Sequence, residues 1–247
     1  MNDVPSPKPM EWTEERVGRY WDYCQQFPET YFTYDHGVGI VDLLGKDLNK
    51  NEDMLDYGAG RGFLTKALLA AGYRVTAADF SRASVVSLAA TFSGEPNFGG
   101  ALTLEEILDQ GKSFSTILMT EVIEHLDDER LEDTFNIIGK ILKPGGLLII
   151  STPNDENLQD RTIYCPCCNQ TFHRWQHLRC WDRFTLGGWL EKKGFVVRRV
   201  FETRVRRRMR RRERVMQFVK QKWGAIFGMP RKQPHLIVLA TLKGAMV

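Results

Sequence analysis

A chain of 247 residues with 43% hydrophobic and 26% charged side chains is large enough for one α/β domain with a full core, plus decorations of a few tens of residues. No apolar run reaches transmembrane length and the N-terminus, MNDVPSPKPMEW, lacks a signal peptide's apolar core, so the expected location is the cytoplasm. The net charge of +3 hides an asymmetry: between Arg198 and Lys222, twelve Lys/Arg meet only Glu202 and Glu213, a basic element joined to a mildly acidic body.

Residues 1–10, rich in proline and polar side chains, read as loose. Val17, Tyr20, Trp21 and Cys24 recur at spacings of three and four and predict a helix over about 13–27. A second helix is predicted over about 37–44, so that residues 1–50 form a helical cap on a domain spanning 51–247. MLDYGAG is a buried strand running into a glycine turn, RGFLTKALLAAG a helix stopped by Gly72, YRVTAADF a second strand, and 81–91 a helix. The stretch EPNFGGALTLEEILDQGKS is weakly patterned, with a third strand expected near Ala101 and Leu102. FSTILMT is a strand, LDDERLEDTFNIIGKIL a helix, KPGG a turn and LLIISTPN a buried strand. An insertion over 156–182 carries Cys and His; then follow the helix DRFTLGGWLEKKG and the strands FVVRRVFE and HLIVLATLK, with a basic insertion, 203–234, between the last two. Largely apolar strands alternating with helices imply an α/β fold with a parallel sheet covered on both faces. The last two strands are ordered as an antiparallel hairpin.

The glycine turn Asp56-Tyr57-Gly58-Ala59-Gly60-Arg61-Gly62 lets backbone approach a ligand that side chains would exclude. Asp79 ends the second strand about twenty residues on, placed to accept the two ribose hydroxyls of an adenosine. The D-x-G-x-G-x-G spacing differs from that of dinucleotide sites, and the Asp56 carboxylate suits a methionine's cationic amino group better than a pyrophosphate. MLDYGAGRGF, VTAADFS, FSTILMTEVIEHL and LKPGGLLIISTPN together resemble the successive motifs of class I S-adenosylmethionine-dependent methyltransferases, above all the branch of the ubiquinone-biosynthesis O-methyltransferases. The resemblance covers about 35–200 and implies a Rossmann-like, seven-stranded, mostly parallel sheet with its last strand antiparallel. It implies S-adenosylmethionine as cofactor, with Asp56, Gly58, Ala59 and Gly60 around the methionine part and Asp79 on the ribose. Phe80 would lie against adenine, and Thr120 and Glu121 would line the cofactor after the fourth strand. The acidic adenine loop after the third strand departs from the family pattern, and Leu102 and Thr103 stand in its place.

Methyl transfer is a displacement at an already activated carbon, so the protein has mainly to position the nucleophile and deal with its proton. Glu121, Glu124 and His125, just past the fourth strand, are expected to share one helical face and to be catalytic. The motif E-x-x-E-H with a later histidine, here His177, also resembles RNA 3′-terminal 2′-O-methyltransferases, which bind a divalent cation there. Mg²⁺, Mn²⁺ or Zn²⁺ on these residues would bind vicinal hydroxyls and acidify one; without a metal, His125 is the general base. Cys165 and Cys168, with His173 and a fourth ligand from His177 or Cys180, are spaced for a structural Zn²⁺, and His177 can serve only one of the two metals.

In the basic insertion, Val215, Phe218, Val219, Trp223 and Ile226 form a helical apolar stripe flanked by arginines. It reads as an interfacial helix on an anionic membrane; packing on the chain's own sheet and binding of nucleic acid are the alternatives. The expected function is O-methylation of a small or lipid-linked hydroxyl acceptor, a glycan or catechol-like ring. An RNA ribose 2′-O-methyltransferase and a non-catalytic cofactor-binding scaffold are the competing readings.

Overall fold

The computed structural model describes residues 6–207 and 233–244. The chain enters through a two-residue strand, β1 (Lys8–Pro9), and two helices, α1 (Glu14–Cys24) and α2 (Phe32–Leu44). Strands and helices then alternate: β2 (Asp53–Tyr57), α3 (Phe63–Ala70), β3 (Arg74–Ala78), α4 (Arg82–Phe92), β4 (Phe98–Leu102) and α5 (Leu104–Asp109). β5 (Phe114–Thr120), α6 (Asp128–Ile141) and β6 (Leu142–Pro153) complete the parallel part. A hairpin of β7 (Thr162–Cys165) and β8 (Gln170–His173) precedes α7 (Arg183–Lys192), β9 (Phe195–Thr203) and β10 (His235–Leu242).

The main sheet has the order β4-β3-β2-β5-β6-β10-β9. β2 pairs in parallel with β3 and β5, and β5 with β6, while β10 runs antiparallel to both β6 and β9. This is the expected α/β architecture with an antiparallel final strand. Successive residues of β2 face opposite sides: Leu55 and Tyr57 enter one apolar core, Met54 the other. Burial on both faces explains the near-continuous apolar runs of the central strands.

The structure departs from the sequence expectations in five places. Residues 8–10 are not loose: β1 pairs with β8, and Met10 N–H donates to Thr171 O at 2.8 Å. Residues 1–50 are not one cap, because α2 buries Ile40, Val41 and Leu44 in the core against the sheet, while its N-terminal end lines the site together with α1. KPGG is a bulge inside β6: Leu142 pairs with Phe114 and Leu147 with Thr116, with Gly145 at φ 74° between them. The 156–182 insertion is largely a β-hairpin, which joins β1 as the three-stranded sheet β1-β8-β7. α5 was hidden by its brevity, but it carries a capping box from Thr103 and Glu106. Of the basic insertion, 208–232 lies outside the described residues, including the whole predicted apolar stripe. Among the described residues no helix is long and apolar enough to cross a membrane.

Candidate functional site

The strand order reverses between β2 and β5, and the carboxyl ends of these strands open into a cleft of about 1460 Å³. Ligands of open α/β sheets bind at this switch point. A single small ligand typically fills roughly 300–1,000 Å³, so the cleft has room for a cofactor and an acceptor together. Asp56, Gly58, Ala59, Gly60, Asp79, Phe80, Thr120 and Glu121 all line it.

Gly58 and Gly60 have φ of 74° and 54°, the left-handed region that glycine enters without strain. A Cβ on Gly58 would lie 2.7 Å from Val122 Cγ2, and one on Gly60 2.8 Å from Tyr31 Cε1. The turn is therefore closed to side chains from both directions. Gly60 N–H donates to Asp79 Oδ2 at 2.8 Å and Ser81 N–H to Oδ1 at 2.9 Å. These two donors lock the Asp79 carboxylate at the cleft wall and leave acceptor capacity on each oxygen. Phe80, 60% exposed, offers a bare ring beside it. Leu102 and Thr103 do not reach the cleft; Leu104, one residue on, does, because Thr103 is occupied as the α5 cap.

Asp56 is 2% exposed and accepts from Thr65 Oγ1 at 2.6 Å. Burial pushes its carboxyl up to about 6, partly offset by the Thr65 bonds. The folded state thus holds this proton more tightly than the unfolded chain. Its contribution to stability is full below the ordinary carboxyl pKa and is lost as pH rises through about 6. Relative to Asp56→Asn, the wild-type protein is expected to lose about 2 kcal/mol of urea-measured stability between about pH 4.5 and about pH 7.5. Parallel stability curves for the two proteins would remove the proton from Asp56.

Glu121, Glu124 and His125 do not lie on one helical face. Glu121 is left-handed (φ 54°) and only 123–125 form a short 3₁₀ turn. A non-glycine residue in this region costs about 1–2 kcal/mol, and the strain turns the Glu121 side chain onto Ser151 Oγ, 2.8 Å away. Burial raises the Glu121 carboxyl to about 7. Glu124, 1% exposed, is pushed up by burial and by the neighbouring Glu121. Thr152 Oγ1 donates to Glu124 Oε2 at 3.0 Å, while the buried Oε1 has no hydrogen-bond partner among the described residues. It faces His125 Nε2 at 4.0 Å.

His125 Nδ1 lies 3.3 Å from the Gln176 carbonyl oxygen. A carbonyl only accepts, so Nδ1 carries the proton and Nε2 keeps its lone pair. The His177 Nδ1 donates in the same way to the Glu156 carboxylate, which leaves its Nε2 lone pair free, and the two imidazoles meet edge-on at 5.0 Å. Ligand atoms of Glu124, His125 and His177 all lie within 4.8 Å of one another; Glu121 is outside this trio. Burial and the neighbouring His177 depress His125 to about 3, which makes it a weak base near neutrality and counts against its expected role as general base.

The expected set of Cys165, Cys168, His173 and His177 is not assembled. Ligand atoms of Glu156, His173 and His177 form the second close trio, and neither trio among the described residues contains a cysteine. His173 Nδ1 accepts the N–H groups of His177 (3.2 Å) and Trp175 (3.4 Å), so its Nε2 bears the proton and points toward Glu156 Oε1 at 3.7 Å. Glu156 thereby accepts from His177 and lies close to His173, whose Nε2 has no hydrogen-bond partner among the described residues, and its carboxyl stays low: burial raises it, but His177 and His173 more than offset that. Cys165 and Cys168 sit instead at the hairpin tip, and Cys180 is exposed elsewhere on the loop.

α1 covers this cluster. Trp21 packs edge-on against His125 at 5.0 Å and donates through Nε1 to Gln176 Oε1 at 3.1 Å. The Gln176 Nε2 then donates to His125 O at 3.1 Å. Gln176 is fully buried and left-handed (φ 60°), a second strained residue in the same shell. Sequence reasoning missed Glu156, Gln176 and Trp21. Glu156 had a signal, lying three residues past the apolar strand β6 at the sheet edge that carries the other site residues.

A family described as a methyltransferase domain matches residues 38–200. The ubiquinone biosynthesis O-methyltransferase of Rhizobium leguminosarum bv. trifolii is 36% identical over 103 residues, 41% of this chain and 40% of that protein. The enzyme of the same name from Idiomarina loihiensis is 30% identical over 146 residues, 56% of this chain and 57% of the relative. The chain thus matches about half or less of the length of these curated relatives. Among solved structures, the glycopeptide N-methyltransferase MtfA with S-adenosyl-L-methionine superposes with a TM-score of 0.59 at 18% identity, over 85% of this chain and 88% of that one. The 1,6-didemethyltoxoflavin-N1-methyltransferase of Burkholderia thailandensis, bound to S-adenosylhomocysteine, gives 0.62 at 19% identity, over 97% and 94%. At these identities the solved structures speak for the fold, and the family match covers most of the chain. The chain belongs to the methyltransferase-domain family.

Proposed function

We propose that the protein transfers the methyl group of S-adenosylmethionine to one of two adjacent hydroxyls on a small or lipid-linked acceptor, a sugar or catechol-like ring. A divalent cation on Glu124, His125 and His177 would take part. The observation that carries this reading is the orphaned, buried Oε1 of Glu124, faced by imidazoles whose Nε2 lone pairs are free. A buried acceptor without a donor is costly, and a cation satisfies all three groups at once. Both imidazoles donate their other nitrogen to a carbonyl or carboxylate, the outer support that metal-ligating histidines use. The donor set of one carboxylate and two imidazoles fits Mn²⁺ or Zn²⁺ better than Mg²⁺. A bound divalent cation would supply Lewis acidity, lowering the pKa of a coordinated hydroxyl.

The chain's own residues do the rest. Asp79 takes the ribose, Asp56 the methionine amino group, and Phe80 the adenine face. Tyr20, Trp21, Tyr31 and Trp175 line the cleft beside the cluster and suit a ring-shaped acceptor. The O-methyltransferase names of the relatives support an oxygen acceptor. A lipid-linked acceptor would draw on the basic segment 203–230, whose described start is pinned to α2 by Arg206 on Asp42 (3.0 Å) and Arg207 on Asp35 (2.6 Å); an anionic membrane surface is the partner proposed for the remainder.

Mn²⁺ titration followed by electron paramagnetic resonance tests the cation site. About one Mn²⁺ per chain is expected to bind, with affinity lowered at least about tenfold in His177→Ala and about tenfold in Glu156→Gln. If the wild-type protein leaves millimolar Mn²⁺ free, the cation reading fails.

A further inference from the structure

The loop 174–178 is bonded at once to the Glu124–His125–His177 cluster and to α1. It carries His177 itself. On the cluster side, Leu178 N–H donates to Glu124 O at 2.8 Å and the Gln176 side-chain amide to His125 O at 3.1 Å. The Gln176 carbonyl accepts the proton of His125 Nδ1. On the other side, the Tyr20 hydroxyl donates to Arg174 O at 2.7 Å and Trp21 Nε1 to Gln176 Oε1 at 3.1 Å. Gln176 belongs to both sets.

α1 is thinly anchored. Of its eleven residues only Val17 and Cys24 are buried, and elements with few buried apolar contacts open locally at low cost. Its C-terminal end is fastened from the cofactor half of the cleft, where Gln25 Nε2 donates to Ser84 Oγ at 3.4 Å and Arg61 to Gln25 O at 2.8 Å. Its middle is fastened to the loop by Tyr20 and Trp21, which also line the cleft. Gln176 is fully buried, with its backbone at φ 60°. Loss of either side-chain partner would therefore leave a buried polar group that no water satisfies.

We propose that Gln176 is a positioning residue that makes closure of α1 and loading of the Glu124–His125–His177 cluster one event. The proposal rests on the cation reading given above. Gln176 acts through its neighbours: it orients His125 on one side and holds Trp21 on the other. With His125 and His177 held on a shared ion, the loop between them is fixed, and Tyr20 and Trp21 are fixed with it. Such coupling is reciprocal, so the loaded cluster presents a formed acceptor wall and the empty cluster a looser one.

The test is hydrogen exchange of the full-length protein, read by mass spectrometry over residues 14–24 with and without Mn²⁺. In the wild type, Mn²⁺ is expected to slow exchange in α1 by about tenfold, although α1 supplies none of the ligands. Trp21→Phe keeps an aromatic ring against His125 and removes the indole N–H. Gln176→Met removes both side-chain bonds and keeps the main-chain carbonyl for His125 Nδ1. In both variants α1 is expected to exchange about tenfold faster without metal, and to gain less than about twofold protection from Mn²⁺. Exchange over β5 and β6 is expected to stay at the wild-type rate, which separates lost coupling from lost stability. Equal α1 exchange in the three metal-free proteins overturns the Trp21–Gln176 latch. Bound Mn²⁺ that leaves wild-type α1 exchange unchanged overturns the coupling. A wild-type protein that binds no Mn²⁺ removes the cation reading and the coupling with it, and the metal-free comparison then decides the latch by itself.

Discussion

Glu124→Gln is expected to lower kcat by about 10²- to 10³-fold, the scale on which removal of one preorganised electrostatic contact acts, with S-adenosylmethionine affinity unchanged. The amide keeps the size of the side chain and the bond from Thr152 Oγ1, so the fold is spared. It removes the free oxygen that faces His125 Nε2 and the carboxylate charge that the proposed cation would hold ionised. Glu124 is 1% exposed, so no solvent can stand in for the ligand that the proposed cation would lose, and the expected effect is on turnover rather than on cofactor binding. Single-turnover rates beside calorimetric cofactor affinities make the distinction. A variant within threefold or so of wild type in rate would show that the carboxylate is only structural.

Asp79→Ala is expected to weaken S-adenosylmethionine binding by about 100-fold or more, because two charge-assisted hydrogen bonds of about 1.5–3 kcal/mol each disappear. The loss has a second source within the protein. Gly60 N–H and Ser81 N–H both end on this carboxylate, so alanine also frees the glycine turn that the methionine part must approach. Asp79→Asn separates the two sources, since its amide oxygen can still accept one N–H while the charge is gone. Intermediate affinity for the asparagine variant is the expected result. Equal affinity for all three proteins would place the ribose elsewhere.

The parts of the molecule legible in the sequence were those governed by local pattern. Buried parallel strands such as FSTILMT declare themselves as apolar runs, and Gly58 and Gly60 mark a turn whose backbone only glycine adopts comfortably. The grouping of Asp56, Asp79 and Thr120 follows from that topology, since each lies within one residue of a strand's carboxyl end at the same sheet edge. The Glu/His cluster was harder. Spacings of three and four suggested a helix through Glu121, Glu124 and His125, but the left-handed Glu121 breaks it, a tertiary demand that no propensity carries. His173 and His177 likewise sit at zinc-ligand spacing from Cys165, yet both turn toward Glu156, brought in from just past β6: His177 bonds to it and His173 faces it at 3.7 Å. The hairpin β7–β8 was hidden because its strands are four residues each with little alternation, and because its third strand comes from residues 8–9, far away in the chain. Gln176 shows the limit most clearly: one buried side chain joins α1 to His125 across some 150 residues of sequence separation from Trp21.

In the proposed function, the cleft holds S-adenosylmethionine beside a cation able to grip two neighbouring oxygens. The most direct measurement is transfer of labelled methyl from S-adenosylmethionine to a panel of catechols and simple sugars, each paired with an analogue lacking one hydroxyl, with and without chelator. Transfer to the vicinal diols, falling at least about tenfold in the single-hydroxyl analogues and on chelation, and restored by Mn²⁺, is the predicted result. Methylation that ignores both the chelator and the second hydroxyl would contradict the proposed cation-assisted transfer.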